Sequence, residues 1–287
     1  MATILRLYPG PPQEVPLAGA YLAHAVHKLG TRACPFVYAN FVCSLDGRIA
    51  LSNPLTGLSH LPEGLTGGHD FRLLMELQAQ ADCVITNGGY LRAIAAGRLD
   101  DILQIGTREE ARDLSVWRQE NGLAPQPAIV VVSGSLDFTI PNSLSRHGQR
   151  VFIATARAAP PEKVESLQTQ GYEVIIAGKD KSVEGGPLTQ ALAERGFRSL
   201  FLLAGPRLLE TMLRDDVLSR LYLTVVHRLV GGESFHSLIP GPDLGFSGRL
   251  HLSSLFIDQA GPEDVGQWFA QFEPITMNRL QSNRFKE

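Results

Sequence analysis

Cysteine is scarce: the 287 residues hold three, Cys34, Cys43 and Cys83, an odd number with no Cys-x-x-Cys spacing. No disulfide framework is expected from such a set, and Cys43 and Cys83 lie in apolar runs, where a thiol behaves as a small hydrophobe. A reducing cytoplasm suits these thiols best. Long apolar runs are also missing. Residues 1–10 contain no apolar core of signal-peptide length, and no segment reaches the roughly 18 to 20 residues that a membrane span requires, so the chain is expected to be neither exported nor inserted. Nor is there an excess of positive charge. A net charge of -3 and a pI near 6.2 give no footprint for nucleic acid or an anionic membrane, which leaves a small molecule as the expected ligand. Internal repeats and the Gly-x-Gly-x-x-Gly fingerprint are absent too, so a standard Rossmann site is not supported. What remains is an ordinary globular composition, 44% hydrophobic and 19% charged, long enough for one large α/β domain or two small ones.

The stretch 200–232 organises the rest. Leu200, Phe201, Leu202 and Leu203 form a short apolar run, and Leu208, Leu209, Met212 and Leu213 mark one face of a helix. Between them Ala204-Gly205-Pro206 is either a phosphate turn opening on the helix's unpaired first amides or a plain helix start with proline in the first turn. Leu221, Leu223, Val225 and Val226 begin a further strand that is expected to stop at Gly231-Gly232.

Upstream, prolines 9, 11, 12 and 16 imply an extended arm, and Tyr21, Leu22, Ala25, Val26 and Leu29 an amphipathic helix. His24 and His27 lie one turn apart on it, without a partner that would make a metal site, and no metal is expected. Phe36–Cys43 reads as a strand buried on both faces, broken at the Asp46-Gly47 turn. Residues 53–68 read as a loop, Asp70 opens a helix, and Asp82–Thr86 is a strand stopped at Asn87-Gly88-Gly89. Another helix runs through Leu91, Ile94 and Ala95. Strands then recur at 128–132, 151–154 and 174–176. This alternation predicts an α/β fold with a mostly parallel central sheet flanked by helices. Five strands end in small or hydroxyl residues, Thr86, Ser133, Thr155, Ala177 and Ala204, and the carboxyl ends of such a sheet are where ligands bind. Residues 267–287 read as a helix around Trp268, Phe269 and Phe272 followed by a polar tail. The domains expected are an arm and helix over 1–33, a main domain over 34–250, and an extension over 251–287 that packs on the arm, the domain or a dimer partner.

Several stretches together resemble the pyrimidine reductase of riboflavin biosynthesis, the C-terminal reductase domain of the bacterial RibD protein, which has a dihydrofolate reductase-like fold. They are Pro35-Phe36-Val37, Ser44-Leu45-Asp46-Gly47-Arg48-Ile49-Ala50, Gly57-Leu58-Ser59, Ala79-Gln80-Ala81-Asp82, Val130 to Leu136, Ala204-Gly205-Pro206 and Leu221 to Gly232, in order over most of 35–235. The resemblance implies an NADPH-dependent reductase, usually a homodimer, that converts the ribosylamino group of an aminouracil phosphate to a ribitylamino group. Hydride then comes from the cofactor and the protein supplies positioning. Carried over by position, Val42 and Cys43 lie along the nicotinamide, Gly88 and Gly89 near the phosphates, and Ser133, Gly134 and Ser135 near the adenosine 2′-phosphate. Ala204, Gly205, Pro206, Arg207 and Leu208 cradle the diphosphate, Ser59 contacts substrate, and Asp46 keeps the family's aspartate.

The chain also departs from that pattern. Leu203 replaces a usual glutamate, Gln78 an arginine facing substrate, Leu61 a frequent tryptophan, Tyr90 a threonine and Arg207 a threonine, and the family's acidic, proline-containing stretch has no match in 93–104. The substrate side therefore looks rewritten, and the substrate is expected to be a small heterocycle that need not be the riboflavin intermediate. Structural alternatives stand beside each role: Asp46 as turn former rather than catalytic acid, Ser59 as a partner of loop amides, Arg207 as a solvated residue, Tyr90 as core. His60 and His69 are expected to face solvent and Glu76 to pair with Arg72 at the surface. A different class of function is a non-catalytic nucleotide-binding sensor or assembly protein on the same fold. Dihydrofolate reduction is disfavoured because no acid on a suitable helix is identifiable.

Overall fold

The computed structural model of the chain describes residues 2–275. Its first half runs β1 (Thr3–Tyr8), β2 (Gln13–Pro16), β3 (Phe36–Ser44), β4 (Ala50–Ser52), β5 (Ser59–His60), α1 (Gly68–Ala79), β6 (Cys83–Asn87), α2 (Gly88–Ala95) and α3 (Arg112–Glu120). There follow β7 (Ala128–Val132), α4 (Asn142–Arg146), β8 (Val151–Thr155), α5 (Pro161–Thr169), β9 (Glu173–Ile176), α6 (Gly185–Glu194) and β10 (Ser199–Leu202). The last elements are α7 (Pro206–Arg214), β11 (Arg220–Val226), β12 (Phe235–His236), β13 (Leu250–Asp258) and β14 (Gln267–Pro274). The expected α/β architecture with a parallel sheet and flanking helices is what forms. No helix among the described residues is long and apolar enough to cross a membrane.

The chain divides into two compact units: one holds the residues up to Ala23, Tyr38–Leu74 and the chain from Pro206 onward, the other His24–Val37 and Met75–Gly205. In the second unit, β10, β6, β7, β8 and β9 are neighbours in that order and all pair in parallel. Successive residues of a strand point to opposite faces, yet Cys83, Val84 and Ile85, Ile129 to Val131, and Leu200 to Leu202 are all fully buried, so both faces are covered. Arg118 braces this unit from α3. Its guanidinium, itself fully buried, donates from Nε to the carbonyl of Ala124 (2.8 Å) and from Nη1 to those of Ala79 (2.7 Å) and Ala81 (2.9 Å), satisfying orphan acceptors where α1 ends. Asp82 fixes the entry to β10 by accepting from the amides of Arg198 (2.8 Å) and Ser199 (3.1 Å).

The first unit is mostly antiparallel, with neighbours β2, β1, β13, β14, β11 and β3, and only β11 and β3 run parallel. A separate small sheet joins β12, β4 and β5. The terminal segments pack on each other here, Leu5 opposite Ile257. Two sequence expectations are corrected. Gln267–Pro274 is a strand, not a helix; its aromatics fit helical spacing, but β11 and β13 flank it on both sides, with Phe272 opposite Leu221 and Phe269 opposite Phe256. The remaining part of that expectation, from 276 on, lies outside the described residues. Over 21–29 there are two short 3₁₀ turns, Leu22–His24 and Val26–Lys28, because Ala25 between them takes a left-handed conformation (φ 47) and the Val26 amide bonds to Gln80 Oε1 (2.9 Å). His27 is buried edge-on to Trp117.

Candidate active site

In the second unit the carboxyl ends of the parallel strands bring together several of the sequence-assigned residues. Asn87 ends β6 and caps α2, its Oδ1 accepting from the Tyr90 amide (2.9 Å). Gly88 packs against the turn after β7, since a side chain there would begin 3.1 Å from Ser133 Oγ and 3.0 Å from the Phe138 ring. Ser133 Oγ in turn accepts from the Leu136 amide (3.0 Å), while Gly134 and Ser135 are exposed. Beyond β10, the Leu203 amide still bonds to the Ile85 carbonyl (2.9 Å), which sets Ala204 and Gly205 beside the end of β6. A side chain at Gly205 would meet nothing closer than Asn87 Nδ2 at 3.9 Å, so backbone and amide groups lie open together. That is a donor set suited to phosphate oxygens. The unit boundary falls between Gly205 and Pro206. Pro206, Arg207 and Leu208 belong to the first unit, where Leu208 is buried on the apolar face of α7 and Arg207 is exposed.

The departures from the family pattern turn out to be linked. Gln78, expected toward substrate, is fully buried, and its Nε2 donates to the Ile102 carbonyl (2.9 Å). The Tyr90 hydroxyl donates to the Asp100 carbonyl (2.8 Å) and accepts from the Ile102 amide (3.2 Å), and burial pushes its pKa up to about 12. Both side chains thus grip residues 100–102, within the stretch that lacks the family's acidic motif, and Tyr90 is a packing residue. Glu76 is buried, not at the surface as expected, because the helix turn around it faces the core.

In the first unit, Asp46 closes a turn. Its carboxylate accepts from Ser44 Oγ and from the amides of Gly231 (2.8 Å) and Val230 (3.1 Å), with Arg48 Nε 3.4 Å away and the Arg48 guanidinium over the Phe235 ring. Those hydrogen bonds, the Ser44 hydroxyl first, hold its pKa well below the usual carboxylate range. Ser59, exposed on β5, bonds to His236 Nε2 (2.8 Å), which also contacts Ser52 Oγ (2.9 Å), rather than to loop amides. Leu61 is exposed. His69, expected to face solvent, bonds to the buried Asp258 (2.8 Å). Cys43 is buried and its thiol is pushed up to about 11, chiefly by burial, so it is no nucleophile.

Val42 lies opposite Thr224 in the β3–β11 ladder. The Thr224 hydroxyl donates to Asp70 Oδ1 (2.6 Å), and Asp70, in the first turn of α1, is wholly buried with its pKa raised to about 6 by burial, against the smaller lowering effect of Thr224. The sequence reading passed over this acid as an ordinary first-turn aspartate. A buried carboxyl titrating near neutrality is the most functionally suggestive group in this unit. Only its pairing with Thr224, far along the chain, could have marked it.

The comparisons with known proteins agree with this architecture. The description "RibD C-terminal domain" belongs to the family model that matches residues 35–257, beyond the 35–235 of the sequence resemblance. A 2,5-diamino-6-ribosylamino-4(3H)-pyrimidinone 5′-phosphate reductase of Archaeoglobus fulgidus is 25% identical over 207 residues, covering 72% of this chain and 87% of that protein. The reductase of the same name from Aquifex aeolicus is 32% identical over 132 residues, 44% of this chain and 57% of that one. Among solved structures, a pyrimidine reductase-like protein from Corynebacterium diphtheriae superposes with a TM-score of 0.63 at 21% identity, covering 84% of this chain and 92% of the other. The reductase names of both sequence relatives accord with the oxidoreductase reading. With the family model spanning most of its length, this chain belongs to the RibD C-terminal domain family.

Proposed function

We propose that the chain is an NADPH-dependent reductase that reduces the ribosylamino group of a pyrimidine 5′-phosphate, the class of substrate named for its Archaeoglobus relative. The observation that carries this reading is the family match over 35–257 together with the open donor set around Asn87 and Gly205. The residues present fit a dinucleotide: a side chain at Gly205 would occupy free space where the backbone otherwise offers itself to a diphosphate, and exposed Gly134-Ser135 follow β7. When bound, the nicotinamide supplies the hydride. In the second unit Gly88, Gly89, Ala204 and Gly205 are the residues assigned to the phosphates; in the first, the resemblance assigns Val42 and Cys43 to the ring and Ser59 and Leu61 to substrate.

Reduction of the sugar carbon also consumes a proton. Asp70 is the group assigned to hold it: it sits in the first turn of α1, bonded to Thr224, which lies opposite Val42, and burial raises its pKa to about 6. Asp46 is assigned instead as a positioning residue: it stays ionised and ties the Ser44–Arg48 turn to Val230 and Gly231. A homodimer and a cytoplasmic setting complete the proposal. The test is to mix purified protein with NADPH and the ribosylamino pyrimidine phosphate and follow loss of reduced nicotinamide and gain of the ribitylamino product. Turnover supports the proposal. Tight NADPH binding without turnover on this or related heterocycles would favour a nucleotide-binding sensor, and size-exclusion chromatography with light scattering tests the dimer.

A further inference from the structure

The small sheet of the first unit gathers three polar side chains from distant parts of the chain. Ser52 and Ser59 are directly opposite each other in the antiparallel β4–β5 pair, and His236 of β12 stands opposite Ala50, two residues before Ser52. Residues two apart along a strand, and residues directly opposite across a pair, share a face of a sheet. Ala50, Ser52, Ser59 and His236 therefore lie on one face, and Leu51, His60 and Phe235 on the other. The backbone holds this register: the amides of Ile49 and Ser52 donate to the carbonyls of His236 (2.9 Å) and Ser234 (3.0 Å). On the shared face His236 Nε2 is 2.9 Å from Ser52 Oγ and 2.8 Å from Ser59 Oγ. His236 and Ser52 are half-buried and Ser59 is exposed, so the cluster opens to solvent on the Ser59 side.

One ring nitrogen that serves two hydroxyls has two arrangements open to it. With a lone pair on Nε2, a serine spends its hydrogen on the ring; with a hydrogen on Nε2, shared between the two serine oxygens, both hydroxyl hydrogens are free to turn outward. A ligand oxygen that only accepts selects the second arrangement. We infer that His236 is a positioning residue for substrate: donating from Nε2 to Ser59 and Ser52, it turns both hydroxyls outward as a pair of donors to acceptor oxygens of the substrate. The inference rests on the substrate role assigned to Ser59 above and adds Ser52 and His236, to which the resemblance gives no role. An exposed serine hydroxyl otherwise turns among staggered positions, and a bond that already holds it lowers the ordering cost that binding must meet.

Steady-state kinetics with NADPH test this on the full chain and on His236→Phe, His236→Gln and Ser52→Ala, each with the ribosylamino pyrimidine phosphate and with its dephosphorylated form. His236→Phe keeps a flat ring but has no nitrogen to donate. Its KM for the phosphate should rise about tenfold with kcat within about twofold, the pattern of lost binding rather than lost chemistry. His236→Gln brings an amide N–H on a side chain of similar reach and should restore most of the affinity, which a space-filling role would not allow. Ser52→Ala removes one donor and should raise KM about threefold. A rise confined to the phosphorylated substrate supports the inference with the phosphate as acceptor; an equal rise with both forms supports it with oxygens of the base or sugar. An unchanged KM in His236→Phe, or a loss that His236→Gln does not repair, would overturn the inference and leave the reductase reading standing. If the unaltered chain turns over neither form, the reductase reading fails, and calorimetric titration with the phosphorylated compound decides the inference by itself. Binding that His236→Phe weakens and His236→Gln repairs would support it, and no binding, or binding without that pattern, would overturn it.

Discussion

The two units use their polar groups in opposite ways. In the first, the turns are saturated by their own partners: Asp46 takes two amides and a hydroxyl, His236 joins Ser52 and Ser59, and Asp258 accepts from His69, Gln267 and the Ala260 amide. In the second, the strand ends leave groups unspent: open backbone at Gly205, and the unpaired cations Arg157, Lys179 and Lys181. Saturated turns fix the shape of a surface before any ligand arrives, whereas unspent donors and charges gain their partners only from a ligand. On the reading proposed above, the contrast assigns binding of the cofactor's phosphates to the second unit and leaves in the first a rigid frame around Asp70.

The largest effect should come from breaking that exception. Asp70→Asn removes the proton but keeps a similar shape beside Thr224, and turnover should fall about 100-fold or more, the usual worth of a positioned acid. Stability should move the other way. The folded-state pKa of Asp70, about 6, exceeds the 3.8 of the free side chain, so the folded protein binds this proton more strongly than the unfolded chain does. The associated stabilisation is complete below about pH 4 and is lost as the pH rises through about 6, amounting to about 3 kcal/mol. Urea unfolding of the variant should lack this decline and show a gain at neutral pH. Unchanged turnover together with the lost pH dependence would make Asp70 a buried brace and no more.

A smaller effect probes the unspent backbone of the second unit. Gly205→Val puts a side chain where only Asn87 Nδ2 lies within 4 Å, so the fold should tolerate it, and an extended conformation before Pro206 suits a β-branched residue. The affinity for NADPH should drop about tenfold, close to 1.4 kcal/mol, with the thermal midpoint of the free protein unmoved. Equal binding by the variant would mean that no ligand backbone approaches at Gly205.

How far these features could be read from sequence follows the same division. The parallel strands were legible because each is a continuous apolar run covered on both faces, as in Ala128–Val132. Their small end residues marked the ligand edge for the same local reason. Features of the first unit depend on distant partners and were not legible. Trp268, Phe269 and Phe272 fit a helix until β11 and β13 are placed beside them. Asp70 looks like any acid favoured by a helix N-terminus until Thr224 and burial shift it, and His236 carries no local sign of Ser59.

The smallest effect concerns how the second unit rebuilt its loop. Gln78 and Tyr90 depart from the family's residues, and both hold the main chain of 100–102, one through the Ile102 carbonyl and the other through the Asp100 carbonyl and the Ile102 amide. If they act on one rigid segment, losing either loosens what the other holds. Gln78→Ala should cost about 1 kcal/mol in urea unfolding, Tyr90→Phe, which loses two hydrogen bonds, about 1 to 2 kcal/mol, and the double variant about 0.5 kcal/mol less than their sum. NADPH affinity should stay the same in all three proteins, since both side chains spend their polar groups on residues 100–102. Strict additivity would show that the two contacts hold separate pieces of chain, and the two departures would then be independent changes rather than one compensated replacement of the missing acidic stretch.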